Sequence, residues 1–263
     1  MKGMMYKMNI KCGLVSISFR QHTPEEILCA MQKAGLSVIE WGSDVHAPCT
    51  DREKVQQIVA LQEKYGITCC SYGTYFRIGV TPKEELKQYI ATAKLLGTDI
   101  LRLWCGNKNY DAYTIEEKEA LFAECRALAQ IAEAEQVVLC MECHNNTFTN
   151  VKEGALELMA AVNSAAFRMY WQPNQNRTAE ENIAYASLLG AYTKHIHVFN
   201  WKGSEKLPLM QAVEIWKAYL HCFPLDKDRA LLLEFMPDNR IESLSEEGAA
   251  LAKIAGQQIK GSL

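Results

Sequence analysis

A single closed (β/α)8 barrel is the fold this sequence predicts, and three observations predict it. Short apolar runs rich in Val, Ile and Leu alternate with segments of helical period eight times along the chain. Strict alternation of this kind calls for a parallel sheet, and eight pairs allow that sheet to close on itself. The interval between successive runs is about thirty residues, the size of one strand-helix-strand step. At 263 residues and 49% hydrophobic, the chain has the length and apolar content of one such barrel. No Gly/Ser/Pro-rich linker or low-complexity run divides it, so residues 1–263 are read as one domain. An open doubly wound sheet is the alternative, but no Gly-x-Gly-x-x-Gly follows the first strand to cradle a dinucleotide phosphate.

The elements follow in order. The first strand spans residues 10–15, and Thr23-Pro24-Glu25-Glu26 opens a helix with a capping threonine, a proline in the first turn and a glutamate three residues on. That helix closes at Ala34-Gly35, where glycine serves the left-handed cap. Strand two covers 37–41, followed by a polar loop with Asp44, His46 and Pro48 and a helix over 51–65 that stops at Gly66. Strand three covers 67–71 and leads into an aromatic loop of Tyr72, Tyr75 and Phe76. A helix over 82–96 stops at Gly97, strand four covers 99–104, and a long helix runs from Thr114 to about Glu135. Strand five is the continuous apolar run Val137-Val138-Leu139-Cys140-Met141 that delivers Glu142, Cys143, His144 and two amides to its end, as a strand buried on both faces would. The second half continues with helix 151–162, strand 167–171, helix 178–189, strand 194–199, helix 208–220, strand 229–235 and a last helix from about Ser243.

Composition bounds the function. The formal net charge is −3 and no lysine or arginine cluster appears, so the phosphate-neutralising surface of a nucleic-acid binder is missing. No run approaches the roughly twenty apolar residues of a membrane span, and Met1 to Met8 lack the apolar core of a signal peptide. A cytoplasmic protein acting on a small molecule is the expectation, and the reading leaves room for a homo-oligomer. Of the ten cysteines, Cys12, Cys69, Cys70, Cys105 and Cys140 fall inside apolar runs and read as buried thiols, without a disulfide framework. Cys140 and Cys143 form a C-x-x-C, but residues three apart on a strand face opposite ways and do not share a metal.

In a barrel the carboxyl ends of the strands converge on one mouth, so the polar residues ending distant strands become neighbours. These are Glu40 on strand two, Glu142 with His144 on strand five, Gln172 on strand six, His197 on strand seven and Glu234 on strand eight. A charge in so apolar a context needs a partner or a metal. Two carboxylates and an imidazole suit a divalent ion such as manganese, magnesium, cobalt or zinc. His195 shares the face of His197 but lies deeper, as a core histidine would. Arg102 and Trp104 on strand four, with Tyr72 and Tyr75, either wall a sugar pocket or pack the barrel. His22 and His221 are assigned no role.

The runs Ile39-Glu40-Trp41-Gly42 with Asp44 and His46, Arg102-Leu103-Trp104, Met141-Glu142-Cys143-His144, Tyr170-Trp171-Gln172-Pro173, His195-Ile196-His197-Val198-Phe199 and Leu233-Glu234-Phe235 stand in an order that resembles the xylose isomerase-like TIM barrels. Within them the chain is similar to the sugar phosphate isomerase/epimerase group, which shares ancestry with endonuclease IV. The resemblance implies a metal held by glutamate from strand five, aspartate from strand six, histidine from strand seven and glutamate from strand eight. Glu142, His197 and Glu234 match three of these positions, and Gln172 stands where the aspartate is usual. Its amide oxygen can still ligate a hard cation, with less negative charge. Ketose 3-epimerases carry a glutamate where this chain has Phe148 and an arginine where it has Gly203, which argues against a ketohexose 3-epimerase. The three-zinc endonuclease pattern needs further histidines after strands two and three, and strand three offers only tyrosines.

The implied chemistry is proton transfer beside a carbonyl of a sugar or sugar phosphate through an enediolate, with Glu142 and Glu234 as the acid/base pair. His144, Asp44, His46 and Gln175 are the candidate hydroxyl ligands, beside Glu40, Tyr72, Arg102 and Trp104. Lys202 either meets a phosphate or is a surface residue. Two other readings compete: a sugar or cyclitol dehydratase, in which the same enediolate expels a hydroxyl, and a carbohydrate-binding barrel that Gln172 has disarmed.

Overall fold

The computed structural model describes residues 10–224 and 227–256; the Met1 to Met8 stretch read above lies outside the described residues. Eight parallel strands close into a barrel. They are β1 (Ile10–Val15), β2 (Val38–Gly42), β3 (Thr68–Ile78), β4 (Ile100–Cys105), β5 (Val138–Glu142), β6 (Phe167–Trp171), β7 (Thr193–Val198) and β8 (Arg229–Leu233). Each strand pairs with its neighbours in sequence, and β1 pairs with β8 to complete the ring, Gly13 lying opposite Leu232. The helices α1 (Pro24–Lys33), α2 (Arg52–Tyr65), α3 (Leu86–Leu96), α4 (Ile115–Ala134), α5 (Lys152–Val162), α6 (Ala179–Leu189), α7 (Val213–Leu220) and α8 (Leu244–Ile254) alternate with the strands.

Local chemistry explains most boundaries. Thr23 with Glu26, Thr114 with Glu117 and Thr178 with Glu181 form reciprocal capping boxes at the starts of α1, α4 and α6, satisfying backbone N–H groups that the first turn leaves open. Asp51 caps α2 by accepting from the Lys54 N–H. Gly66 and Gly97 end α2 and α3 in the left-handed conformation, at φ of 65° and 87°.

The apolar residues form two layers. The larger lies between strands and helices; the smaller fills the barrel with Val15, Val38, Ile100, Cys140, Tyr170 and Leu232. Alternation along β5 therefore sends Cys140 inward, while Cys143 joins the outer layer, so the C-x-x-C pair does face two ways. Gly13 is needed where β1 closes the ring, because a Cβ there would stand 2.1 Å from the Val38 carbonyl oxygen.

Two features depart from expectation. β3 does not stop at Ser71: it runs on to Ile78, so Tyr72, Tyr75 and Phe76 belong to a strand and not to a loop. Aromatic and β-branched residues suit a pleated, half-buried surface, and the register shift between Gly73 and Arg77 against β4 bends the strand end over the mouth. After β7 the chain also forms a small antiparallel hairpin, Trp201–Lys202 with Glu205–Lys206, turning at Gly203 with φ of 59°. No alternating apolar pattern announced it.

Candidate metal centre and pocket

Toward the carboxyl ends of most strands, polar and charged side chains replace the apolar filling. β2 supplies Glu40, β4 Arg102 and Trp104, β5 Glu142 and β7 His197, while Gln172 and Glu234 come from the residue immediately after β6 and β8. His197 is at the centre. Its Nδ1 lies 3.3 Å from Glu142 Oε1, 3.7 Å from Glu234 Oε2 and 3.1 Å from Gln172 Oε1. Gln172 is oriented for this, since its Nε2 donates to the Cys143 carbonyl at 3.2 Å and so turns the amide oxygen toward the imidazole. On the other side of the ring, Nε2 faces Glu40 Oε1 at 3.5 Å.

Glu40 and Glu142 are linked by one buried guanidinium. Arg102 donates from Nε to Glu40 at 2.8 Å and from Nη1 to Glu142 Oε2 at 2.6 Å. Ser71 donates to the other Glu40 oxygen at 2.7 Å, and the Trp104 indole N–H donates to Glu142 Oε2 at 2.5 Å. Glu142 thus has one oxygen capped by two donors and the other turned toward His197.

Electrostatics separate the two carboxylates that flank the imidazole. Burial works to raise Glu142, but the Arg102 guanidinium and then His197 hold it down to about 2. Burial also raises Glu234, and there it prevails: His197 pulls the other way, but the neighbouring Glu142 charge adds to the rise. For His197 burial opposes the charged form, yet Glu234 and Glu40 lift it to about 10. The pull these groups exert on a proton at Nδ1 is a pull any cation would feel there. Burial lowers His195 to about 4; it accepts from the Ala230 N–H at 3.1 Å, has its other nitrogen 3.2 Å from the Cys70 carbonyl, and is the core histidine expected.

A cavity of about 300 Å³ opens above this floor. Its walls are aromatic on two sides. Trp104 stacks on His144 at 5.2 Å and meets Tyr75 edge-on at 5.4 Å. Across from them Trp201 lies 5.1 Å from Phe199 and 5.6 Å from Phe235. Arg102, Trp104, Glu142, His144, Gln172, Gln175 and Glu234 all line the cavity.

Four of the sequence candidates stand elsewhere. Tyr72 is fully buried, its hydroxyl donates to the Ala47 carbonyl at 2.6 Å, and it does not line the cavity. His46 is buried 3.1 Å from Ser16 Oγ and 3.2 Å from the His22 carbonyl, bracing the loop after β2. Glu40 lies wholly beneath the floor, where it supports His197 and Arg102. Asp44 does not line the cavity either; it pairs with Arg20, which does.

Sequence reasoning missed Arg20, Asn145, Asn174, Phe199, Trp201 and Phe235, all on the cavity wall. The usable signal was positional: the residues after strand one feed the same mouth, and Arg20 follows them. Phe235, at φ of 58°, holds a left-handed conformation that a bulky residue rarely adopts, immediately beyond Glu234.

The donor set fits a divalent cation. Ligand atoms of Glu142, His197 and Glu234 lie within 4.8 Å of one another, all three residues are buried, and carboxylate, imidazole and amide oxygen are donors that such ions accept together. The model of the xylose isomerase-like TIM barrel family matches residues 28–234. The chain belongs to this family. Among solved structures, a probable 3-DHS dehydratase, AsbF, from Bacillus anthracis is 17% identical, with 92% of this chain and 98% of that one covered at a TM-score of 0.73. The IOLI protein with a bound zinc atom is 14% identical, covering 95% and 100% at 0.73. A D-allulose 3-epimerase from Methylomonas sp. is 14% identical, covering 94% and 98% at 0.69. No curated protein sequence matches. Among the described residues no helix is long and apolar enough to cross a membrane.

Proposed function

We propose that this xylose isomerase-like barrel is a divalent-metal-dependent sugar or sugar phosphate isomerase/epimerase that moves a proton at a carbon beside a carbonyl. The observation that carries the reading is the opposed environments of Glu142 and Glu234 around one imidazole. A cation held by Glu142, His197, Glu234 and the Gln172 oxygen would supply Lewis-acid charge to steady an enediolate. Glu142, with Arg102 and Trp104 on one oxygen, stays an anion and serves as a fixed ligand. Glu234, which lacks the guanidinium and indole donors that hold Glu142, is the group suited to take and return the proton. Glu40 sits behind His197, its carboxylate 3.5 Å from Nε2, where its charge favours a proton on that nitrogen and leaves Nδ1 to the centre. Asn145, Asn174, Gln175 and His144 offer the amides and ring nitrogen that hydroxyl groups need.

A dehydratase is the second reading, and one observation favours it. Only one of the two carboxylates is unencumbered, which suits proton removal and leaving-group protonation on a single face better than exchange across two faces. The likeness to a probable dehydratase and to epimerases supports both readings.

The test begins with divalent-metal content of protein purified without chelator. The metal-loaded protein is then incubated in deuterated water with a panel of ketoses, aldoses and their phosphates. Isomerisation or epimerisation leaves the mass unchanged apart from exchanged deuterium; dehydration removes one water. Glu142→Gln and Glu234→Gln are each expected to lower turnover by at least about a hundredfold. Near wild-type kcat in either variant would end the two-carboxylate site, and absence of bound metal would end the metal-dependent reading.

A further inference from the structure

One cation on the cavity wall takes no part in the metal centre. Arg20 follows the 3-10 turn Ser16–Phe19 at the end of β1, and a loop and a strand end clamp its guanidinium. Nη1 forms an ion pair with Asp44, from the loop after β2, and Nη2 donates to the Tyr75 hydroxyl at 2.6 Å, on the overhanging end of β3. Tyr75 in turn packs edge-on against Trp104, whose indole donates to Glu142, so the guanidinium is tied through rigid rings to the floor. The Arg20 side chain is still 42% exposed and lines the cavity.

An exposed Arg–Asp pair contributes little to stability, and fixing a long side chain from two separate elements costs rotamer entropy. The arrangement makes sense as preorganisation: of the five N–H donors of a guanidinium, the partners found among the described residues engage two, in a planar fork that matches carboxylate and phosphate. Charge is also unevenly spread along the cavity. At the floor the Arg102 guanidinium is already engaged by Glu40 and Glu142, whereas Arg20, though paired with Asp44, stands partly exposed on the wall with further N–H donors for an incoming anion. The aromatic walls between the two ends accept the C–H faces of a ring.

We propose that Arg20 anchors an anionic group, a carboxylate or a phosphate, carried by the substrate at the end remote from its reacting carbonyl. Asp44 and Tyr75 are positioning residues for that anchor. The proposal rests on the preceding reading of the floor as the reacting end, and it fixes the orientation of the substrate: uncharged carbonyl down on Glu142 and Glu234, anion up on Arg20.

Three probes that share one ring test it: glucose, glucuronate and glucose 6-phosphate, titrated by calorimetry into manganese-loaded and metal-free protein at low and high salt. At least one charged probe is expected to bind about tenfold or more tightly than glucose, with the advantage shrinking in salt. Which of the two does so separates carboxylate from phosphate. Arg20→Gln is expected to erase the advantage and Arg20→Lys to keep part of it, while manganese affinity is unchanged in both and thermal melts report intact folding. Equal binding of the three probes, no binding of either anion, or a preference that survives in Arg20→Gln would overturn the proposal. The two readings fail separately. Manganese binding and proton exchange without anion preference sinks only the Arg20 anchor, whereas an Arg20-dependent preference in a protein that binds no metal sinks only the metal-dependent enzyme.

Discussion

An amide oxygen offers a divalent cation a dipole where a carboxylate offers a full charge, and Gln172 sets that difference at the centre of the pocket. Its Nε2 is anchored on the Cys143 carbonyl, so the oxygen, and not the nitrogen, faces His197. Gln172→Asp should tighten manganese binding by at least about tenfold, or roughly 1.4 kcal/mol. Calorimetric titration of metal-free protein decides this, and unchanged affinity would mean that the amide oxygen does not touch the ion. Activity is expected to fall in the same variant, because an added anion neutralises part of the field that polarises a carbonyl. His46 makes a different prediction. Burial, with smaller contributions from Lys54 and Arg20, lowers it from 6.5 to about 4. The unfolded chain therefore binds a proton that the folded chain refuses between those values, so the associated stability is intact above about pH 6.5 and is lost as pH falls toward 4. Urea melts at pH 7.5 and 4.5 should differ by roughly 2 to 3 kcal/mol more in wild type than in His46→Gln. An equal pH dependence in the two proteins would contradict a neutral, buried His46.

The element on which the site depends most is β3, the longest strand at 11 residues. It passes beneath the floor at Ser71, which holds Glu40, leaves room for the Glu40–Arg102 pair at Gly73, and reaches the rim at Tyr75. A Cβ on Gly73 would stand 2.6 Å from Glu40 Oε1 and 2.8 Å from Arg102 Nη2, so glycine is required here by space and not by backbone conformation. Gly73→Ala should destabilise the fold by about 1 to 3 kcal/mol and weaken manganese binding, because moving Glu40 releases the support behind His197. Denaturant melts paired with a metal titration test both halves. An alanine that lowers stability and leaves metal affinity intact would remove Glu40 from the orientation of His197.

Over the whole molecule, the barrel was legible because most strands are short apolar runs and the inward-turning ends of β2, β4, β5 and β7, with the residues just after β6 and β8, are polar. Glu40, Arg102, Glu142, His197 and Glu234 stood out as charges amid Val, Ile and Leu, and closure of the ring collects them. The pocket wall was less legible. Arg20, Asn145, Asn174 and Trp201 arrive on loops and on a two-residue hairpin, which have no period and take their path from packing against neighbours. Tyr72 and Tyr75 illustrate the limit: read together as one loop, they lie three residues apart on a strand, and alternation turns the first to brace α3 through Tyr89 and the second over the mouth. The cysteines carry a last consequence. All ten are reduced thiols, and burial pushes Cys12, Cys69 and Cys143 up to about 12 and Cys140 higher still. Since only the thiolate reacts, an alkylating reagent at neutral pH meets these sulfurs when the surrounding layer has parted. Cys140 inside the ring and Cys143 outside it, beside the cavity, would then keep separate time, one counting openings of the barrel lumen and the other loosening of the packing between strands and helices at the mouth.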